Sequence, residues 1–154
     1  MLTMPEERMP EENIREIMKQ VNANQPPCVD TLGKGRMVDL NTVEQSVTME
    51  FTSGDEHCHS GNIVQGGFVA GMLDNAMSVA VILSGEQLFS PATLELKVTY
   101  LKPASQGINT AKGWIVRMGK SIVFLEAELH NKQGALIAKA SSTAQLLVKS
   151  KILA

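Results

Sequence analysis

The sequence predicts an α+β fold in which a curved antiparallel sheet wraps around one apolar helix. Residues 66–83 are mostly apolar on every side and carry a single charge, Asp74, so a helix formed there has to be surrounded. From residue 92 onward the chain alternates apolar and polar residues in four runs, which is the period of strands. An amphipathic helix and a strand pair come before the apolar helix, supplying a cover and two more strands. A sheet folded around the helix accommodates all of these at once, and 154 residues are about right for one such domain.

The first element is a helix over about 10–22, PEENIREIMKQVN. Glu11 and Glu12 favour its positive N-terminal end, and Ile14, Ile17, Met18 and Val21 recur at helical spacing. Residues 24–35 carry Pro26, Pro27, Gly33 and Gly35 and are expected to form a loop. Segments 36–40 and 43–52 then predict two strands around a short Asn-containing turn, with Val47, Met49 and Phe51 on one face. A polar segment, SGDEHCHSGN, leads into the apolar helix, which is expected to end near Ser84-Gly85. Beyond it, residues 92–101 place Leu94, Leu96, Val98 and Tyr100 on one face and Thr93, Glu95, Lys97 and Thr99 on the other. Segments 108–117, 121–130 and 135–148 follow, separated by MGK and NKQG, both suited to hairpin turns. The four are expected to run as a meander, giving a core over about 36–148.

Composition excludes several functions. Fourteen basic residues nearly balance sixteen acidic ones and no run of like charge occurs, which argues against a nucleic-acid partner. The N-terminal residues MLTMPEERMPEEN lack the basic and apolar regions of a secretory signal, so a cytoplasmic location is expected and Cys28 and Cys58 are expected to be free thiols. The apolar stretch is only about 25 Å long as a helix and carries an Asp, so it reads as a core helix and no membrane partner is expected. His57, Cys58 and His59 include metal-competent side chains, and in an extended segment the two histidines would point the same way. Zinc wants four ligands and no second cluster exists in the chain, so neither a metal nor a cofactor is expected.

Chemistry concentrates in residues 57–80, HCHSGNIVQGGFVAGMLDNAMSVA. Gly66 and Gly67 open the helix, where free backbone N–H groups and the helix dipole favour an anion or a developing oxyanion. Asp74 follows two turns later, with Ser78 at i+4 on the same face. His57, His59, Asn62 and Gln65 supply polar groups just before the helix. An ionised carboxylate in such a helix must be paired, near water, or used. Each feature has a plainer reading, either a structural acid bonded to Ser78 or a glycine pair that lets helix and sheet pack closely. Their coincidence within one short stretch is what favours a site.

This stretch resembles the hotdog-fold thioesterases of the phenylacetic-acid-degradation type. Their motif runs Asn-x-x-Gly-x-x-(His or Gln)-Gly-Gly, with an Asp eight positions after the first of the paired glycines, and HSGNIVQGGFVAGMLD has Gly66 and Asp74 in that register. TLELKVTYLKPA, RMGKS and ALIAKASSTAQL continue the likeness over about residues 36–148. The resemblance implies an acyl-CoA substrate, Asp74 as general base or nucleophile, and the Gly66 N–H as oxyanion donor. It implies that Thr93 helps place the acid or water, and that Gln65 stands where His is frequent. Acid and oxyanion donor come from opposite subunits in this family, so a homodimer at least, or a tetramer, is implied.

Two positions depart from the motif: His59 stands at the Asn that polarises the thioester carbonyl, and Asn62 at the following Gly. Either side chain could supply the missing donor. His59 with Asp74 also approximates the pair of hotdog dehydratases and hydratases, which act on enoyl or 3-hydroxyacyl thioesters, although Gly66-Gly67 replaces the Pro-Gly that opens their helix. A third reading is a non-catalytic acyl-CoA binding protein. For CoA itself, Arg117, Gly119, Lys120 and Ser121 form the candidate phosphate contact, against the plainer reading of a solvated turn. Met72, Met77, Val81 and Leu83 are candidate apolar walls for an acyl chain.

Overall fold

The computed structural model describes residues 8–84 and 89–148; Gly85, within the predicted helix end, lies outside them. Helix α1 (Glu11–Ala23) buries Ile14 and leans Ile17, Met18 and Val21 on the core. At its end the Asn22 side chain accepts from the Met37 N–H (2.8 Å) and donates to the Met37 carbonyl (3.0 Å). Met37 belongs to β1 (Arg36–Asn41), an edge strand, so Asn22 satisfies backbone groups that an edge otherwise leaves open. The predicted loop 24–35 contains a short helix, α2 (Pro27–Asp30), begun by Pro27 and pinned by the buried Val29.

The large sheet has the order β1-β2-β6-β7-β8-β5, with every neighbouring pair antiparallel. Its further members are β2 (Ser46–Ser53), β5 (Phe89–Tyr100), β6 (Gly107–Met118), β7 (Ile122–Asn131) and β8 (Leu136–Val148). The expected four-strand meander is corrected here. β6, β7 and β8 do follow one another through tight turns, but β5 pairs with β8 at the far edge and β6 pairs with β2. Alternation identifies a strand without naming its neighbour; wrapping a helix forces the chain to cross it and begin again at the opposite edge.

The polar segment before the helix is also more ordered than expected. A 3-10 turn (Asp55–His57) precedes a small hairpin of β3 (Cys58–Ser60) and β4 (Ile63–Val64). Gly61 turns it at a positive φ of 52°, and Val64 N–H donates to the Ala104 carbonyl at 2.9 Å. The chain thereby enters α3 (Gly66–Ser84) at a fixed point.

Helix α3 has the length and hydropathy of a membrane span, yet Met72, Leu73, Ala76, Met77 and Val81 are buried completely or nearly so, and the helix lies across β6, β2, β7 and β5. Burying each such Leu, Met or Val contributes about 1.5–3 kcal/mol. Helix and sheet meet closely at Gly113 of β6. A Cβ there would stand 2.5 Å from the Met77 nitrogen and 2.6 Å from the Ala76 carbonyl carbon, both backbone atoms, so only glycine fits.

β5 departs from the simple alternation read in the sequence. Thr93 pairs with Ala144, Glu95 with Thr143 and Leu96 with Ser142, so the register slips at Leu94. The bulge inverts the facing of everything before it. Thr93 joins Leu96 and Val98 on the side facing the helix, and Leu94 is turned out, 59% exposed.

Candidate active site

Asp74 sits two turns into α3 on the side the sheet does not cover, half-buried. Thr93, brought inward by the bulge, donates its hydroxyl to Asp74 Oδ1 at 2.9 Å. Ser78 lies one turn further along the same face, but the plainer reading of an acid bonded to Ser78 is not what the structure has: the hydroxyl on Asp74 is that of Thr93, the residue the resemblance implies helps place the acid. Thr93 was read as lying on the other face of β5 from the apolar residues; the register slip corrects that and makes the bond geometrically natural.

The start of the helix is shaped by two side chains. Gln65 Oε1 accepts from the Gly67 N–H at 2.8 Å, capping one of the open donors of the first turn. The Tyr100 hydroxyl donates to the Gly66 carbonyl at 2.7 Å and its ring lies against the space a Gly66 Cβ would need. No partner for the Gly66 N–H is present among the described residues. β5 therefore touches α3 twice, through Thr93 at the carboxylate and Tyr100 at the helix start. Sequence reasoning missed Tyr100, although it closes the same alternating run as Thr93.

The polar residues ahead of the helix separate. His57 is 3% exposed; its Nδ1 accepts from the Gly54 N–H (2.9 Å), which leaves Nε2–H to donate to the Thr31 carbonyl (3.1 Å). Phe68 packs edge-on against the ring at 4.9 Å. The ring is a pin between the 3-10 turn and the end of α2. His59 is exposed on β3 and hydrogen-bonded through Nδ1 to Ser60 (2.8 Å). The two histidines thus occupy different elements and do not share a face, and among the described residues no three His, Cys, Asp or Glu side chains converge as a metal site. Cys28 and Cys58 are free thiols. Asn62 accepts from the Gln106 N–H at 2.9 Å and so tethers the β3–β4 turn to the loop before β6.

A cavity of about 790 Å³ opens between α1, α2 and the uncovered face of α3, and both Asp74 and Ser78 line it. Of the four expected wall residues only Leu83 borders it; Met72, Met77 and Val81 are buried on the sheet side, and Val79 and Ile82 take their place. The period of 3.6 distributes an all-apolar helix between two faces without marking which is covered. Gln25 and Asn75, absent from the sequence reading, also line the cavity. Arg117, Gly119, Lys120 and Ser121 are exposed on the β6–β7 hairpin and do not border it.

A carboxylate oriented by a hydroxyl, a capped glycine start to the same helix and an apolar cavity beside them, all on a helix wrapped by an antiparallel sheet, define the architecture of a hotdog thioesterase. The chain belongs to the thioesterase superfamily, whose pattern matches residues 61–138. Human acyl-coenzyme A thioesterase 13 is 25% identical over 114 residues, covering 73% of this chain and 81% of its own length. The medium/long-chain acyl-CoA thioesterase YigI of Escherichia coli K12 is 28% identical over 95 residues, 53% of this chain and 61% of its own. Among solved structures, the Escherichia coli PaaI protein from the phenylacetic acid degradation operon superposes with a TM-score of 0.73 at 16% identity, covering 86% of this chain and 92% of that one. A thioesterase from Haemophilus influenzae gives 0.75 at 14% identity over 95% and 96%. These two show the fold.

Proposed function

We propose that the protein hydrolyses acyl-CoA, or a related acyl thioester, to the free acid and the thiol. The observation that carries this is Asp74: an oriented carboxylate bordering an apolar cavity, on a helix whose first N–H is open to a ligand. Water attacks the thioester carbonyl as Asp74 takes its proton, or Asp74 attacks directly to give an anhydride that water then opens. The carbonyl oxygen collects negative charge against the Gly66 N–H, and collapse of the adduct expels the thiolate.

Geometry favours two copies. Gly66 and Asp74 are eight residues apart on one helix, about 12 Å along its axis. The oxyanion donor must stand about 3 Å from the carbonyl oxygen, and the acid about 3 Å from the carbonyl carbon or from the water that attacks it. The family resemblance implies that one chain supplies the acid and another the donor, and the separation of Gly66 and Asp74 along one helix supports that reading, with a homodimer as the smallest working unit. The exposed Leu94, Val116 and Phe124 offer apolar surface for a tetramer. His59 is the candidate for the role of the missing Asn: it is exposed, with Nδ1 2.8 Å from the Ser60 hydroxyl, and in the tautomer where that hydroxyl donates, Nε2–H is left to donate to the carbonyl; Asn62 uses its Oδ1 to accept from Gln106 and keeps its amide N–H groups as the alternative donor. Lys120 and Arg117 meet the CoA phosphates, and the protein works in the cytoplasm without cofactor or metal.

The test is Asp74→Asn assayed for thiol release over a panel of acyl-CoA thioesters. A fall of about 10²- to 10⁴-fold with folding intact is expected; full turnover on every thioester the parent cleaves overturns the assignment. An enoyl thioester hydrated reversibly without thiol release indicates a hydratase.

A further inference from the structure

Tyr100 closes β5 with half its surface exposed, yet its hydroxyl is committed to one backbone atom, the Gly66 carbonyl, at 2.7 Å. The strand end that carries it is fixed: Tyr100 pairs with Ala138, and the Leu101 and Lys102 N–H groups both donate to the Ile137 carbonyl, at 2.8 and 3.1 Å. Tyr100 therefore reaches α3 from a rigid point on the sheet. Gly66 and Gly67 need such a support, because without a Cβ their backbone has wide freedom. The peptide unit between them is held at both ends by side chains: Gln65 Oε1 takes its N–H at 2.8 Å and Tyr100 its carbonyl.

The unit just before carries the Gly66 N–H, which has no partner among the described residues. Its carbonyl, that of Gln65, takes the Phe68 N–H at 3.0 Å, and the unit preceding it is anchored by the Gln65 N–H on the His57 carbonyl at 2.8 Å. The open N–H thus lies between two fixed peptide units, and Tyr100 fixes the later one. A donor aimed in advance at a developing oxyanion is worth more than one that must turn during the reaction.

We propose that Tyr100 is a positioning residue for the thioester reaction: its hydroxyl and ring hold the Gly66–Gly67 peptide so that the Gly66 N–H is aimed before the carbonyl oxygen gains charge. This rests on the thioesterase reading and adds to it a residue outside the glycine and aspartate motif. The ring acts with the hydroxyl. A Cβ at Gly66 would stand 3.2 Å from Tyr100 Cζ and Oη and 3.4 Å from Cε1, so alanine there displaces the ring by a few tenths of an ångström. A single hydrogen bond at the surface adds little to stability, so the effect of losing it falls on the transition state.

The experiment measures kcat and KM by thiol release on an acyl-CoA that the parent cleaves, with Tm beside them. Tyr100→Phe keeps the ring and drops the hydroxyl; kcat is expected to fall roughly 3- to 10-fold while KM and Tm stay near the parent's. Gly66→Ala keeps the N–H and displaces the ring, so it is expected to lower kcat in the parent and to add nothing once Tyr100→Leu has removed the ring. Unchanged kcat in Tyr100→Phe overturns the proposal, as do fully additive losses from Gly66→Ala and Tyr100→Leu. Tyr100→Phe decides the matter where the leucine variant fails to fold. Hydrogen exchange at the Gly67 amide tests the clamp without turnover: it is expected to be several-fold faster in Tyr100→Phe, and equal exchange sinks the idea. Absence of thiol from every thioester offered to the parent overturns the hydrolytic reading instead, and the exchange comparison still decides the clamp.

Discussion

Gly113 is the position where helix and sheet leave no room, so Gly113→Ala tests the fold and the site together. The added Cβ meets the Met77 nitrogen at 2.5 Å and the Ala76 carbonyl carbon at 2.6 Å. Neither is a flexible side-chain tip, so ordinary contact is restored only by lifting α3 about 1 Å from β6. Overpacking of this kind costs about 1–3 kcal/mol, while replacing Gly by Ala recovers about 0.4–1 kcal/mol from the unfolded chain. The clash wins, with a net loss of about 1–2 kcal/mol and a fall in Tm of about 2–8 °C by differential scanning calorimetry. Asp74 lies three residues before Met77 on the lifted helix while Thr93 stays with the sheet, so the 2.9 Å bond between them lengthens. A displacement near 1 Å at a reacting group lowers rate by about 10²-fold. kcat is therefore expected to fall more than the stability loss explains. A Gly113→Ala protein with the parent's Tm and kcat refutes the close approach.

Thr93→Ala removes the hydroxyl bonded to Asp74 and is expected to lower kcat by roughly 10- to 100-fold with little change in Tm, measured by steady-state thiol release. Lys120→Ala is expected to raise KM several-fold for CoA thioesters and leave KM for the matching pantetheine thioesters unchanged, because only the former carry the nucleotide phosphates. Equal effects on both exclude a phosphate contact. Gly66→Pro removes the proposed oxyanion N–H at a helix position that tolerates proline, and Asp74→Asn removes the acid. Each alone is expected to be nearly inactive; co-refolded in equal amounts they are expected to regain about a quarter of parent activity, since half the dimers then carry one intact site. No recovery rules out a site shared between chains.

The parts of this structure that were legible in the sequence are those fixed by local physics. A lone carboxylate in an apolar helix is conspicuous because its burial is costly, and a glycine pair at a helix start is conspicuous because it leaves donors open. Strand segments showed through their period. Hidden were the features set by what lies across the sheet. The slip at Leu94 leaves the sequence alternation unbroken; it exists only in the pairing of β5 with β8, and it alone turns Thr93 toward Asp74. Gly113 looked like any strand glycine until Ala76 and Met77 were placed above it. His57 looked like a candidate ligand, and only the approach of Thr31 from a loop 26 residues away shows that its ring is fully occupied.

The division of the chain between shared and particular parts follows from the same geometry. Residues 61–138, which match the superfamily, contain Gly66, Asp74, Thr93 and the β6–β7 hairpin, the groups to which the chemistry is assigned. The cavity beside Asp74 is closed on its other side by α1, α2 and the loop between them, all before residue 61. Those helices are held by Asn22 on the β1 edge, by Val29 in the core and by His57 through Thr31. The N-terminal wall of the cavity and the residues to which the chemistry is assigned therefore sit on different stretches of sequence. A substitution at Gln25 is expected to change one wall of the cavity while leaving the Asp74–Thr93 pair in place.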